Sequence, residues 1–317
     1  MIRKKIIIGT RLSCLAMAQA KSVLAELKKM FPKYSFSLKG IVTKGDRLKK
    51  MPKKLTKGLF VKEIEKALIK KKIDIAVHSM KDLPIEMPEV LEIAAITRRI
   101  DYRDVLISKN AKKLAHLKKG AVVGTSSPRR KMQILLLRPD LVIKDIRGNI
   151  DTRIKKLKQG NFDAIILAAA GILRLGLKDL ITEYLPCRVM LPACGQGSLG
   201  IQVRKKDIQM RRIAKKINHQ KSNIEITAEK EFLKTMGGGC RVPFAALAQV
   251  QGGKFTIIGI AASDKNKIVV KDKISSAPKY FKLNARKLAN QIKQNLLSKK
   301  NEKNKGKSIF SRSGAGR

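Results

Sequence analysis

The segment Gly124-Thr125-Ser126-Ser127-Pro128-Arg129-Arg130 joins a helix start to two guanidinium groups. Ser127 is a good N-cap and Pro128 a good first helical residue. Such a start presents free backbone N–H groups, here beside hydroxyls and two Arg. Helix N-termini attract anions, and Arg forks grip carboxylates through paired hydrogen bonds. The expected use is an anion site, although the motif alone does not name the anion. A capped helix start without a ligand is the plainer alternative. More guanidiniums follow in Ile146-Arg147-Gly148-Asn149-Ile150-Asp151-Thr152-Arg153. That segment reads as a strand-to-helix junction, the end of an open α/β sheet where ligands usually bind. Arg11 occupies the equivalent place after the first strand. One such Arg is an ordinary surface charge, whereas several at strand ends predict a shared carboxylate-binding cleft.

Lys81 and Asp82 also follow a strand end, in His78-Ser79-Met80-Lys81-Asp82. Taken alone they make a turn ion pair as readily as a catalytic site. His78 reads as a satisfied core residue. Cys240 ends Gly237-Gly238-Gly239-Cys240. Either it is a small buried residue in a tight turn, or it is a thiol with no bulky neighbours on one side, open to covalent attachment. The other cysteines are Cys14, Cys187 and Cys194, and the chain has three His. No Cys-x-x-Cys pair occurs, so neither a metal site nor a disulfide framework is expected.

These residues need strand ends and helix starts to hold them. Apolar runs at 4–9, 35–43 and 73–79 read as strands, with helices at 13–30, capped by Ser13, and 59–70. Residues 44–57 are polar and basic, with Gly45 and Pro52, and read as a mobile loop. The layout repeats from about Ala121: strands at 122–124, 142–146 and 163–168, helices at 128–137, 150–158 and 171–175. Alternation of this kind predicts parallel sheets built from crossover units. Gly and Pro punctuate 186–200, a candidate crossing back between domains. Helices at 207–217 and 224–236, three strands within 244–275 and a helix at 283–298 complete the body. Residues from Lys299 are rich in Lys, Asn, Gly and Ser and are expected to be disordered.

The composition is compatible with two or three domains with real cores. The formal net charge is +47, with a pI near 10.5. Residues 299–317 hold seven Lys or Arg and one Glu, only +6 of that total. The charge is therefore spread along the chain rather than held in one nucleic-acid-binding arm. Aromatic residues for base stacking are few, at 4%, and nucleic acid is not an expected partner. The run Ile6-Ile7-Ile8 is too short for a signal-peptide core. Nothing approaches the roughly 18 apolar residues of a membrane span. The chain is expected to be soluble, cytoplasmic and free of membrane.

In combination the segments resemble the hydroxymethylbilane synthase (porphobilinogen deaminase) family over about residues 6–298. The resemblance rests on Ile8-Gly9-Thr10-Arg11-Leu12-Ser13, Lys57-Gly58-Leu59-Phe60-Val61-Lys62-Glu63 and Asp74-Ile75-Ala76-Val77-His78-Ser79-Met80-Lys81-Asp82. It continues through 124–130, 147–153, 167–177, Leu191-Pro192-Ala193-Cys194-Gly195-Gln196-Gly197 and 238–240. No single member of that ordered set is specific, but the set is.

The resemblance implies an α/β protein: two α/β domains like those of periplasmic ligand-binding proteins, plus a small C-terminal α+β domain. The bounds expected are 1–97 with 198–218, 103–192 and 222–298, leaving 299–317 as a basic tail. It implies a transferase that joins four porphobilinogen molecules head to tail into the linear tetrapyrrole hydroxymethylbilane and releases ammonia. The implied cofactor is dipyrromethane, held by a thioether to Cys240, with Asp82 as the catalytic carboxylate. Lys81, Asp82, Thr125, Ser127, Arg129, Arg130 and Arg147 are the implied cofactor contacts. Arg11, Ser13, Arg153, Arg174, Lys57 and Phe60 are the implied substrate contacts. A monomer without a metal is also implied.

Four positions depart from the family's usual pattern: Cys14 for Pro, Thr56 for Gly, Pro128 for Leu and Arg241 for Gln. The chemistry implied is consistent with the residues. Each pyrrole of the substrate carries an acetate and a propionate, so a growing chain accumulates negative charge that an Arg-rich cleft can hold. A two-lobed carrier without catalysis would explain the cleft, but not the third domain or the glycine-flanked thiol.

Overall fold

The computed structural model describes residues 4–43, 61–237, 243–263 and 268–310. The first sheet is built from β1 (Lys5–Arg11), β2 (Ser35–Ile41), β3 (Ile75–Ser79), β4 (Leu91–Ile96) and β10 (Leu199–Arg204), in the order β2-β1-β3-β10-β4. Helix α1 (Cys14–Met30) connects β1 to β2, and α2 (Lys62–Ile69) precedes β3. The Ile6-Ile7-Ile8 run shows why a buried strand reads as continuously apolar. Successive side chains point to opposite faces. Ile6 and Ile8 pack with Ala20, Val23 and Leu27 of α1, whereas Ile7 packs with Ile64 and Leu68 of α2.

The second sheet has the same plan. It comprises β5 (Asp104–Ser108), β6 (Val122–Gly124), β7 (Val142–Lys144), β8 (Ala164–Ala168) and β9 (Glu183–Leu185), in the order β7-β6-β8-β5-β9. Its helices are α3 (Pro128–Leu137), α4 (Ile150–Lys158) and α5 (Ala169–Arg174). The expectation of parallel sheets is corrected in both domains. β10 runs antiparallel between β3 and β4, and β5 runs antiparallel between β8 and β9. The cause is the path of the chain. It leaves the first sheet after β4 and enters the second from the opposite direction as β5, then returns as β10. Two crossing segments, 97–103 and 186–198, therefore join the lobes. The result is two sheet-and-helix lobes of the same plan.

After α6 (Ile208–Lys215), a smaller unit follows: α7 (Gln220–Thr235), the antiparallel strands β11 (Phe244–Gln251), β12 (Lys254–Ala262) and β13 (Val269–Ser276), and α8 (Phe281–Phe310). Phe232, Phe255, Ala289 and Ile292 fill the layer between helices and sheet. Helix α8 does not stop at Ser298, where the sequence reading ended it and a disordered tail began; it continues to Phe310. Residues 299–310 contain no Pro and are mostly Lys, Asn, Glu and Ser, so local composition does not force a stop. The buried Glu229 of α7 fastens this unit to both crossings. It pairs with Arg99 at 2.7 Å and accepts hydrogen bonds from the backbone N–H of Gly195 (2.7 Å) and of Ala248 (2.9 Å).

Candidate active site

The carboxyl ends of the parallel strands of both sheets open on one cavity of about 490 Å³. β1 ends at Arg11, and the turn after β3 carries Lys81 and Asp82. Opposite them stand Arg130 in the first turn of α3, Arg153 on α4 and Arg174 at the end of α5. All six line the cavity, together with Ser13. Ser13 Oγ accepts from the Ala16 N–H at 3.3 Å, capping a helix with no acidic residue in its first turn. Residues Cys14 to Ala16 border the same space, as do Asn149 and Ile150 at the start of α4. The positive end of α1 thus adds to the guanidiniums, whereas α4 carries Asp151 in its first turn.

Burial sets the electrostatics. The Lys81 ammonium is lowered to about 8 by burial, with Asp82 opposing the shift and Arg130 adding to it. Burial lowers Arg174 to about 10 and pushes Arg153 down as well, with Arg130 contributing. Arg174 Nη2 donates to Gly197 O at 3.1 Å, and Arg153 Nε to Gly148 O at 2.8 Å. Each is anchored by a neutral carbonyl there, and Arg153 also feels the Asp82 carboxylate across the cavity.

Not every expected site residue reaches the cavity. Arg129 and Arg130 are adjacent in α3, so they project about 100° apart. Arg130 lines the cavity; Arg129 does not, and instead pairs with Asp104 at 2.7 Å and donates to Leu191 O. Thr125 is buried and accepts from the Ser127 N–H at 3.2 Å; Ser127 Oγ caps α3 through the Arg130 N–H at 3.4 Å. Neither lines the cavity. Arg147 is exposed, lies outside the cavity lining, and its carbonyl accepts from Lys156 Nζ at 3.3 Å. Lys57, Phe60 and Cys240, with the loop expected at 44–57, lie outside the described residues.

Two residues that carry the site were missed from sequence. Asp104 opens β5, fully buried, and pairs with Arg129 at 2.7 Å and Arg130 at 2.8 Å. Burial alone would raise its carboxyl; the two guanidiniums outweigh that and hold it well below the usual carboxylate range. Gln196, in the second crossing, touches both Asp104 and Lys81. The only signal available for Asp104 was an acid opening an apolar strand, and that signal is weak. Replacing Asp104 with Asn leaves two buried guanidiniums without their counter-ion. A loss of about 3–5 kcal/mol of stability is expected, measured as a shift in the urea midpoint. A loss below about 1 kcal/mol would remove Asp104 from the core of the site.

His78 is buried and borders the cavity, its Nε2 2.9 Å from Gln202 Oε1. Burial lowers it to about 4, against the Gln202 hydrogen bond and the Asp82 charge. Its unfolded value is near 6.5. Between those values the unfolded chain binds a proton that the folded chain refuses, so stability falls as pH drops from 6.5 toward 4. On the order of 2–3 kcal/mol is at stake by pH 4. Urea titrations at pH 7 and 4.5 should show a drop in wild type that His78→Gln reduces. An unchanged pH dependence in the variant would assign the effect elsewhere.

Two family models match the chain: "Porphobilinogen deaminase, dipyromethane cofactor binding domain" over residues 6–212 and "Porphobilinogen deaminase, C-terminal domain" over 223–297. The porphobilinogen deaminase of Shouchella clausii is 49% identical over 273 residues, 85% of this chain and 88% of that protein. That of Bacillus subtilis is 48% identical over 272 residues, 84% and 87% of the two chains. Among solved structures, a putative methionine-binding lipoprotein from Bacillus subtilis aligns with a TM-score of 0.44 at 16% identity, covering 72% of this chain and 94% of that one.

Proposed function

This chain belongs to the porphobilinogen deaminase family, and on that premise we propose that its interlobe cavity is where porphobilinogen is deaminated and joined into hydroxymethylbilane. The observation that carries the reading is the Asp82 carboxylate at the turn after β3, in a cavity that also holds Asp151 and the five cations Arg11, Lys81, Arg130, Arg153 and Arg174. Five cations suit a substrate and product that carry an acetate and a propionate on every ring. Bidentate Arg–carboxylate pairs orient as well as attract.

The dipyrromethane cofactor of the family fits this donor set, since it bears the same acetate and propionate groups. Lys81 and Arg130 would hold those groups, and Cys240 would supply the thioether. When bound, the cofactor offers a free pyrrole α-carbon as the acceptor for the first substrate. The role of Asp82 follows from its charge. Loss of ammonia from porphobilinogen leaves a resonance-stabilised azafulvene cation. A fixed carboxylate near the pyrrole N–H stabilises that cation and can take up the proton released when the new bond forms. His78, held neutral, adds no positive charge against it.

The domain bounds we propose are 1–97 with 198–218, 103–192 and 222–298; the membership of β10 in the first sheet supports the split first domain. A monomer is proposed from the family resemblance. A thiol kept free for cofactor attachment suits the reducing cytoplasm. No helix among the described residues is long and apolar enough to cross a membrane. The partner is a small acid rather than nucleic acid.

The test is direct assay of hydroxymethylbilane formation across a salt series. Exposed parts of the cation set are screened over a Debye length of about 8–10 Å near physiological ionic strength. The Michaelis constant for porphobilinogen is expected to rise with salt while the circular dichroism spectrum holds. A flat series would count against a carboxylate-binding cavity, and absence of product against the function.

A further inference from the structure

Gln196 occupies the point where the two crossings meet the turn that carries Asp82. Its backbone is pinned on three sides. The Gly195 N–H donates to Glu229 at 2.7 Å, Arg99 Nε donates to Gln196 O at 2.9 Å, and the Ile100 N–H donates to Gly197 O at 3.3 Å. Gly195 has φ +83°, and a Cβ there would stand 2.8 Å from the Met80 carbonyl carbon and 3.0 Å from Lys81 N. The segment therefore lies directly against the Met80–Lys81 backbone.

The side chain, 1% exposed, divides its two ends between the lobes. Oε1 accepts from Lys81 Nζ at 3.4 Å. Nε2 faces acceptors alone: Tyr102 O at 2.9 Å, Arg103 O at 3.4 Å and Asp104 Oδ1 at 2.9 Å. Lys has no acceptor, and carbonyl and carboxylate oxygens have no donor. The amide orientation is thus dictated by its neighbours. Among side chains of this length, Glu would set an acceptor against two carbonyls and a carboxylate, and Met would satisfy neither end.

We propose that Gln196 is a positioning residue for the reaction: its amide ties Lys81 of the first lobe to Asp104, and through Asp104 to Arg130 of the second, fixing how the cavity's cations face the substrate. The inference rests on reading the cavity as the substrate site. Gln196 borders the cavity but carries no charge. It acts through Lys81 and Arg130.

The test uses the cofactor-loaded enzyme, with loading confirmed by intact mass. Gln196→Met is expected to lower kcat/KM at least about tenfold, mostly through KM. In a Lys81→Met background the same substitution should add less than about twofold, because the two groups act as a unit. The pH profile supplies a readout that a merely structural role would not move. Lys81, near 8 and faced by Asp82, Arg130, Asp104 and Arg129, loses its proton as pH rises, so kcat/KM falls through that range. Gln196→Glu puts a negative charge beside the ammonium, favours its charged form and should move that limb up by about one pH unit. If Gln196→Met does not fold, Gln196→Asn keeps an amide in place but is too short to span both partners, and the same loss is expected. Activity within about twofold of wild type in the folded Met or Asn variant, or a full loss persisting without Lys81, would overturn the proposal. Wild-type turnover in the same assay tests the cavity reading separately, since Gln196 is judged only as a ratio to it.

Discussion

Asp82→Asn is expected to lower hydroxymethylbilane formation by about a hundredfold or more, with the fold intact. Asp82 is exposed at the β3 turn and borders the cavity, so the substitution disturbs no core packing. Asn keeps the size of the side chain but not its charge. The charge is what opposes the developing azafulvene cation in a cavity otherwise crowded with guanidiniums. A preorganised charge of this kind is typically worth about 3–4 kcal/mol of barrier. Asp82→Glu keeps the charge, displaced by one methylene, and should retain more activity than Asn. The measurement is steady-state product formation, with circular dichroism as the control for folding. A folded Asn variant within about tenfold of wild type would dismiss Asp82 as the catalytic carboxylate. Attention would then pass to Asp151, the other carboxylate among the described residues that line the cavity.

Cys240→Ser is expected to yield a chain whose electrospray mass is that of the bare polypeptide, and to cut product formation at least about a hundredfold. Tethering the acceptor makes the first condensation intramolecular, and a free dipyrrole cannot match that effective concentration. The other thiols are poor substitutes for different reasons. Burial pushes the Cys194 thiol up to about 12, so it supplies almost no thiolate, and burial raises Cys187 as well. Cys14 is exposed and borders the cavity. A Cys240→Ser chain that still carries the dipyrrole would overturn the assignment, and Cys14→Ser in the same background would then identify the attachment point.

Much of the site was legible because its signals are local. Ser13 and Ser127-Pro128 announce helix starts through the geometry of a single turn. Placing Arg11 and Asp82 at strand ends needs only the position where an apolar run stops. The alternation of strands and helices gave the two α/β domains for the same reason. By contrast β4, β5, β9 and β10 went unread. β4 and β5 border the first crossing and β9 and β10 the second, where short apolar runs carry no helix-period pattern to set them apart.

The amino-acid sequence alone determined which residue types were available: a cluster of Arg beside helix starts, one acid after β3, and a thiol among glycines. Those depend on neighbours within a few positions, and their ordered combination carries the family resemblance. Only the tertiary structure decided which guanidiniums face the ligand. Arg129 and Arg130 are adjacent and identical in type, yet a turn of about 100° between them sends one into the core and the other to the cavity. Both reach Asp104, which is 26 residues away in the chain from Arg130 but 2.8 Å away in space, and only Arg130 also borders the cavity. Gln196 joins that pair to Lys81 across 115 residues. Bonds of this kind form only where the two crossings bring distant segments together, and nothing in the residues flanking either partner encodes them.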